Sequence, residues 1–176
     1  MNQSWLILGA SSAMARGFAR AVSGQGAAVF LAGRDKDDLT IAAADCLQRG
    51  ASFAEFIAFD ARKPAGFQAI YDRMALQDGT LNVAVFVGSM PEQAAIDKDP
   101  SLIDGTLIDS YAGPVRFLHG FAPMIEARGS GTVVGISSVA GDRGRISNYV
   151  YGSAKGGFAT YLSGLRNRLT RAGGHV

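Results

Sequence analysis

The sequence predicts an α/β domain in which a doubly wound parallel sheet lies between two layers of helices. Short apolar segments rich in β-branched or aromatic residues alternate with longer segments of helical period. The short segments are apolar almost throughout, which is typical of strands covered by helices on both faces. A length of 176 residues with 48% apolar content fits one such domain, spanning residues 1–176.

The first predicted strand covers residues 5–8, and the first predicted helix covers residues 12–25. Gly24 and Gly26 lie at the end of this helix, and glycines commonly end helices. One buried stripe along this helix is predicted from the spacing of four apolar residues, Met14, Phe18, Ala21 and Val22.

The second and third strands are predicted at residues 28–32 and 53–59, followed by helices at 37–48 and 64–77. Pro64 suits the first turn of the later helix because its missing N–H needs no partner there. Cys46, on the earlier helix, is the only cysteine and fits a small core residue. A single cysteine excludes an internal disulfide and a multi-cysteine metal site, and we expect no bound metal.

The fourth and fifth strands are predicted at residues 83–87 and 132–137, and the two longest helices at 101–127 and 149–172. Both helices carry apolar residues at helical spacing. Gly113 and Pro114 are expected to bend the first of them. The charged segment at residues 97–99 is expected to form a solvated turn.

Charge and hydropathy exclude several classes of function. The 17 basic and 15 acidic residues leave a net charge of +2, which is too small to favour nucleic acid as a partner. No segment reaches the roughly 18 apolar residues of a membrane-spanning helix, and the first residues lack the basic start of a signal peptide. We therefore expect a cytoplasmic protein with no integral membrane segment.

A turn of small residues joins the first strand to the first helix. At this position in a parallel sheet, the backbone can approach a pyrophosphate, whose charge the helix N-terminus favours. The G-x-G-x-x-G pattern is absent, so a tight turn without a ligand is the alternative. The placement favours the phosphate site, with the candidate contacts Gly9, Ser11, Ser12, Ala13 and Met14.

The second strand ends in Gly33 and Arg34. A site for NAD usually has a carboxylate here for the ribose 2′-hydroxyl, whereas glycine and arginine leave room and charge for a 2′-phosphate. NADPH is therefore favoured over NADH. The alternative is that Arg34 begins the next helix in solvent while Asp35 pairs with it or caps the helix.

Ser138, Tyr151 and Lys155 carry the strongest chemical signal. Tyr151 and Lys155 are four residues apart on a predicted helix, so the ammonium can stabilise the phenolate. A phenol with a pKa of about 10 needs a nearby positive charge to act as an acid at neutral pH. Ser138 follows a strand at the edge where open α/β sheets bind ligands. A surface tyrosine and lysine would explain the Y-x-x-x-K alone, but not its combination with the serine.

Together these motifs resemble those of the short-chain dehydrogenase/reductase family, which has a Rossmann-type fold. The Gly9 turn, Asp60 after the third strand, Ser138, Tyr151 and Lys155 match in order, and the resemblance covers essentially the whole chain. It implies hydride transfer between NAD(P)H and a carbonyl compound or alcohol, with Tyr151 as acid or base. Lys155 would bind the nicotinamide ribose and lower the tyrosine pKa, and Ser138 would orient the substrate.

The resemblance also assigns the remaining cofactor contacts. Asp60 and Ala61 would face the adenine, and Val87 and Gly88 would lie near the nicotinamide. Ser110 stands where the family has a helical asparagine in a proton relay, and Tyr111 or water is the alternative member of that relay.

Several positions depart from the family pattern. Ala13 and Ala15 replace two glycines of the phosphate turn, and the alanine at 13 narrows the approach to the pyrophosphate. Residues 86–89 read Phe-Val-Gly-Ser where the family usually has Asn-Asn-Ala-Gly. These departures keep open the alternative of a non-catalytic NADP(H)-binding sensor or scaffold protein.

Family resemblance further implies a homodimer or homotetramer formed through the two long helices. Candidate apolar contacts are Phe117 with Phe121 and Tyr161 with Leu165. In the family another strand begins at residues 173–176 and the chain continues beyond it, so we expect a domain that is incomplete after the helix carrying Y-x-x-x-K. An inactive fragment is a further alternative. A weaker resemblance to polyprenyl-phosphoryl keto-pentose reductases points to a sugar-like or lipid-linked ketone as substrate.

Overall fold

A computed structural model describes residues 2–176, which contain a sheet of six parallel strands. The strands are β1 (Gln3–Leu8), β2 (Ala28–Gly33), β3 (Phe53–Ala58), β4 (Thr80–Val85), β5 (Gly131–Gly135) and β6 (Gly174–His175). Their order across the sheet is β3-β2-β1-β4-β5-β6. The chain reverses direction across the sheet between β1 and β4, and open α/β sheets bind ligands at the carboxyl ends of the strands beside such a reversal.

Helices cover both faces of this sheet. They are α1 (Ala13–Ser23), α2 (Lys36–Gln48), α3 (Phe67–Ala75), α4 (Gln93–Lys98), α5 (Leu102–Leu107), α6 (Gly113–Arg128) and α7 (Tyr149–Thr170). Buried residues of α1 and α2 pack with Ile7 and Leu31, whereas those of α3, α6 and α7 pack with Leu6, Leu8 and Phe30. The predicted Rossmann-type, three-layer fold is therefore confirmed. Within the described residues, no helix is both long and apolar enough to cross a membrane.

Helix α1 turns a face to the sheet that matches the predicted stripe only in part, since Val22 is buried and Phe18 packs against the core. Ala15, Ala19 and Val22 are buried, whereas Met14 is 63% exposed and Ala21 is exposed. The prediction of a buried Met14 was therefore wrong. Small side chains let a helix approach a sheet closely, so alanines occupy the contact face and the larger methionine lies outside.

The predicted long helix at 101–127 is interrupted by a π-helical turn, Ile108–Ala112, which joins α5 to α6. The N–H of Gly113 donates to the carbonyl of Ile108, five residues earlier. Pro114 has no N–H for the carbonyl of Ser110, so regular α-helical bonding cannot continue through this turn. The expected irregularity is therefore present as a π turn just before Gly113.

Two further expectations were wrong. Residues 93–98 form helix α4, so most of the segment expected to be a solvated turn is helical. Phe117, Phe121 and Leu165 are buried at 0%, 0% and 5% exposure. They belong to the core between the sheet and helices α3, α6 and α7, so these side chains cannot contact a second subunit. Their helical spacing indicated burial but did not show which neighbour buries them.

Candidate functional site

A cleft lies at the carboxyl ends of the central strands. It contains eight of the residues that the sequence predicts as cofactor contacts: Gly9, Ser11, Ser12, Arg34, Asp60, Ala61, Val87 and Gly88. Four other predicted cofactor contacts lie outside its lining: Ala13 and Met14 on the first turn of α1, and Tyr151 and Lys155 on α7. Phe59, Phe86 and Asp109 also line the cleft and were not predicted.

The turn after β1 brings backbone against backbone. Gly9 has a positive φ of 78°, and a Cβ at this residue would lie 2.9 Å from the Val87 nitrogen. A side chain here would force apart the ends of β1 and β4, so glycine is required. Ser12 caps α1, since its Oγ accepts a hydrogen bond from the Ala15 N–H at 3.1 Å. The N–H groups of the first turn before Ala15 have no partner within the helix, which favours an anion.

Arg34 lies at the open rim of the same cleft and is exposed. Within residues 2–176, its guanidinium forms no ion pair. Asp35 instead caps α2, because its Oδ1 accepts from the Asp38 N–H at 3.0 Å. Gly33 has a packing explanation, since a Cβ there would lie 2.7 Å from Leu39 Cδ1. The geometry therefore leaves an arginine beside the cleft that forms no ion pair among residues 2–176.

An ion pair joins the turn after β3 to the π turn. The Nε and Nη2 of Arg62 donate to the two carboxylate oxygens of Asp109 at 2.8 and 2.7 Å. The hydrogen bond and charge of Asp109 raise the pKa of Arg62 above its usual value. A Cβ at Gly113 would lie 2.6 Å from the Ala61 carbonyl oxygen, so the backbones also meet here. These contacts hold the Ala61 turn against the helix that carries Ser110.

Ser110 is fully buried and bonded to the loop that follows β4. Its Oγ donates to the Ser89 carbonyl at 3.0 Å and accepts from the Ser89 N–H at 3.1 Å. A Cβ placed at Gly88 would lie 3.5 Å from this Oγ and 3.4 Å from the Lys155 Nζ. The small residue at 88 therefore lets Ser110 and Lys155 approach the same point of the cleft.

Lys155 is buried beside the ring of Tyr151. Its Nζ donates to the Ile136 carbonyl at 2.9 Å and lies 5.9 Å from the centre of the Tyr151 ring. Only 4% of Lys155 is exposed, and burial lowers its pKa from the usual value for lysine. The Lys155 Nζ is therefore held by a backbone carbonyl on the side of α7 that carries the Tyr151 ring.

Ser138 lies directly before a 3₁₀ turn, Val139–Gly141, that packs against α7. Its Oγ accepts from the Ala140 N–H at 3.2 Å and caps the 3₁₀ turn Val139–Gly141. A Cβ at Gly152 would lie 2.5 Å from the Ala140 carbonyl oxygen, so this turn packs directly on α7 next to Tyr151. The structure thus places the predicted serine, tyrosine and lysine on contacting elements. Among residues 2–176, no three His, Cys, Asp or Glu side chains form a group suited to a metal ion.

Comparison with known proteins identifies the family. The sequence profile for short chain dehydrogenases matches residues 3–176. The chain belongs to the short-chain dehydrogenase family. The motifs that carried the resemblance therefore lie in the fold that the family uses.

Curated relatives are similar across most of the chain. An uncharacterized oxidoreductase of Mycobacterium tuberculosis is 34% identical over 149 residues, which cover 84% of this chain and 60% of the relative. A Streptomyces coelicolor oxidoreductase is 32% identical over 177 residues, covering 99% of this chain and 69% of the relative. The 3-oxoacyl-[acyl-carrier-protein] reductase of Chlamydia muridarum is 27% identical and has 68% of its length covered. The chain thus spans about three fifths to two thirds of these proteins.

Solved structures share the short-chain dehydrogenase fold. Actinorhodin polyketide ketoreductase, determined with NADPH, superposes with a TM-score of 0.90 at 21% identity. The match covers 99% of this chain and 68% of the ketoreductase. A short-chain dehydrogenase from Streptomyces avermitilis gives a TM-score of 0.88 at 24% identity, covering 99% of this chain and 64% of that protein.

Proposed function

We propose that the protein is an NADPH-dependent oxidoreductase that interconverts a ketone or aldehyde and its alcohol, with Tyr151 as acid or base. The observation that carries this proposal is the buried Lys155 ammonium, 5.9 Å from the Tyr151 ring and next to the Gly88 end of the cleft. Relatives named as oxidoreductases, including a 3-oxoacyl reductase, support the same reaction class.

The residues that line the cleft suit the parts of a dinucleotide. The Gly9 turn and the start of α1 suit the pyrophosphate, as anions bind at helix N-termini. Arg34 suits a 2′-phosphate, since its guanidinium is exposed and unpaired within the described residues. We assign Asp60 and Ala61 to the adenine and Val87 and Gly88 to the nicotinamide. Ser11, Ser12, Ala13 and Met14 lie within or beside the turn that would hold the phosphates.

When bound, NADPH supplies the hydride that reduces the carbonyl carbon. Tyr151 gives its phenolic proton to the carbonyl oxygen, and in the oxidation direction it removes the proton of the alcohol. We assign Lys155, whose Nζ lies 5.9 Å from the centre of the Tyr151 ring, to the nicotinamide ribose beside the phenol. The hydroxyl of Ser138 holds the carbonyl oxygen in place. Ser110, beside Lys155 at Gly88, is assigned to the path that returns the proton, in place of the asparagine of the family.

Cofactor consumption tests the proposed reaction. The full-length protein is incubated with NADPH and a panel of ketones and aldehydes that includes acetoacetyl-coenzyme A and a keto-pentose, and NADPH absorbance is followed. We expect consumption with at least one compound. Tight NADPH binding without consumption across the panel would instead support a non-catalytic NADP(H)-binding sensor or scaffold. Failure to bind either NADPH or NADH would contradict both functions.

Arg34→Ala is expected to weaken NADPH binding by about tenfold and to leave NADH binding unchanged, because only NADPH carries the phosphate that Arg34 would contact. Fluorescence titration of both cofactors measures the two dissociation constants. Arg171→Ala, which removes another exposed arginine at the far end of α7, is the matched control and should change neither constant. An equal loss for both cofactors, or tighter NADH binding by the unmodified protein, would contradict the assignment of Arg34.

We also propose a cytoplasmic homodimer or homotetramer formed through α6 and α7. Since Phe117, Phe121 and Leu165 are buried in the core, the contacts would come from the exposed faces of these helices. On α6 these faces include His119 and Pro123. Sedimentation of the full-length protein measures its mass, and a monomer at micromolar concentration would contradict this proposal.

A further inference from the structure

A side-chain cluster joins α4 to the first turn of α7. Gln93 is 3% exposed, and its Oε1 accepts from the Val150 N–H at 3.3 Å. Its Nε2 donates to Asp97 Oδ1 at 3.0 Å. The Tyr149 hydroxyl donates to the same Asp97 oxygen at 2.8 Å. Two hydrogen bonds therefore join α4 to α7, and the bond from Gln93 to Asp97 within α4 connects them.

The first turn of α7 depends on this cluster for capping. Asn148 stands at the N-cap, but its side chain makes no capping hydrogen bond, and its buried Oδ1 has no partner within residues 2–176. The first turn also contains no acidic residue. N-terminal N–H groups of a helix need partners from outside the helix. The side chain of Gln93, on α4, supplies one such partner, because its Oε1 accepts a hydrogen bond from the Val150 N–H.

The position of the cluster links it to the reacting end of the cleft. Val150 directly precedes Tyr151, so a cap on its N–H acts on the turn that carries the phenol. Helix α4 begins shortly after Gly88 and Ser89, whose loop is held by Ser110. The hydrogen bonds of Gln93 therefore connect α4, which follows the loop assigned to the nicotinamide, with the helix that carries the acid.

We infer that Gln93, Asp97 and Tyr149 are positioning residues that hold Tyr151 in place against the Gly88 loop. This inference rests on the proposed function, in which Tyr151 transfers the proton. Losing the cluster frees the first turn of α7 and displaces the phenol, while the cofactor contacts at Gly9 and Arg34 lie on other elements. The turnover number falls, and cofactor affinity stays unchanged.

Three variants of the full-length protein test the inference. They are assayed with NADPH and a carbonyl compound of the panel, such as acetoacetyl-coenzyme A, that the unmodified protein reduces. Tyr149→Phe and Asp97→Ala each lower kcat by about tenfold, because small displacements of a reacting group are costly. The KM for the carbonyl compound and the NADPH dissociation constant change by less than about twofold, which is much smaller than the expected change in kcat. Asp97→Asn keeps an oxygen acceptor at the same place and restores kcat to within about twofold of the unmodified protein.

Tyr71→Phe is the matched control. Tyr71 lies on α3, outside the cluster, and donates to the Phe117 carbonyl at 3.0 Å. The Tyr71→Phe variant loses a hydrogen bond of similar length. We expect lower thermal stability and an unchanged kcat. A kcat unaffected by Tyr149→Phe and Asp97→Ala would overturn the inference. So would a loss of kcat that Asp97→Asn shares.

Amide hydrogen exchange gives a readout that needs no turnover. Residues 149–152 exchange faster in Tyr149→Phe and Asp97→Ala than in the unmodified protein, and Asp97→Asn retains their protection. Equal protection in all variants would overturn the inference. If the unmodified protein reduces no carbonyl compound, the proposed function fails, and the exchange experiment still decides whether the cluster holds this turn.

Discussion

Replacing Tyr151 with phenylalanine is expected to lower turnover by roughly 100- to 10,000-fold, the usual contribution of a positioned acid or base. The change removes one hydroxyl and leaves the ring that faces Lys155, so packing around the buried ammonium is kept. NADPH binding should persist, because the contacts assigned to the phosphates and adenine lie on β1, β2 and the turn after β3. Single-turnover kinetics and a cofactor titration measure the two effects separately.

Tyr161→Phe is the matched control for this experiment. Tyr161 lies on the same helix, and its buried hydroxyl has no hydrogen-bond partner within residues 2–176. Burial raises the pKa of this phenol, so it stays protonated at neutral pH. Its removal should leave turnover unchanged. Retention of turnover by Tyr151→Phe would show that another group transfers the proton.

Replacing Phe117 with alanine is expected to destabilise the protein by about 3–5 kcal/mol, the usual cost of removing a buried phenylalanine ring. Phe117 is fully buried, and its ring centre lies within 5.8 Å of four others, those of Phe59, Phe67, Tyr71 and Phe121. Phe59 directly precedes Asp60 and lines the cleft. The loss should therefore loosen the wall assigned to the adenine as well as the core.

Denaturant unfolding measures this change in the free energy of unfolding. Phe53→Ala is the control, because Phe53 is 40% exposed on the edge strand β3. It should cost well under half as much. A loss below about 1 kcal/mol for Phe117→Ala would place its ring outside the rigid core, since surface changes usually stay within about 0.5 kcal/mol.

The sheet was predictable because each buried strand has its own apolar segment in the sequence. Strand β6 lacks this signal, since it consists of Gly174 and His175. Helix α4 was missed for a related reason. Its six residues include only one large apolar residue, the buried Ile96, and its place is secured by contacts with α7. Short elements held by tertiary contacts leave little periodic pattern.

The orientation of helices was harder to predict than their existence. Met14 and Ala15 are adjacent, and hydrophobicity alone favours burial of the larger side chain. The Ser12 cap and the close approach of α1 to the sheet select Ala15 instead. Likewise, helical spacing marked Phe117 as an apolar residue on α6 but could not distinguish the core from a subunit interface.

The geometry of the candidate site was predictable where it depends on local spacing. Tyr151 and Lys155 are one helical turn apart, so their proximity follows from the helix itself. The ion pair of Arg62 with Asp109 joins residues 47 positions apart, and no local pattern indicates it. Pro114 was a signal for an irregular helix, but the π turn beside Ser110 became apparent only from the backbone hydrogen bonds.

Hydride transfer itself is tested most directly with NADPH that carries deuterium at the reactive carbon of the nicotinamide. The unmodified full-length protein is incubated with this cofactor and the carbonyl panel, and the alcohol products are analysed by mass spectrometry. We predict that deuterium appears on the former carbonyl carbon of at least one product and that Tyr151→Phe forms almost none of it. Tight binding of the labelled cofactor without deuterium in any product would contradict the proposed reaction.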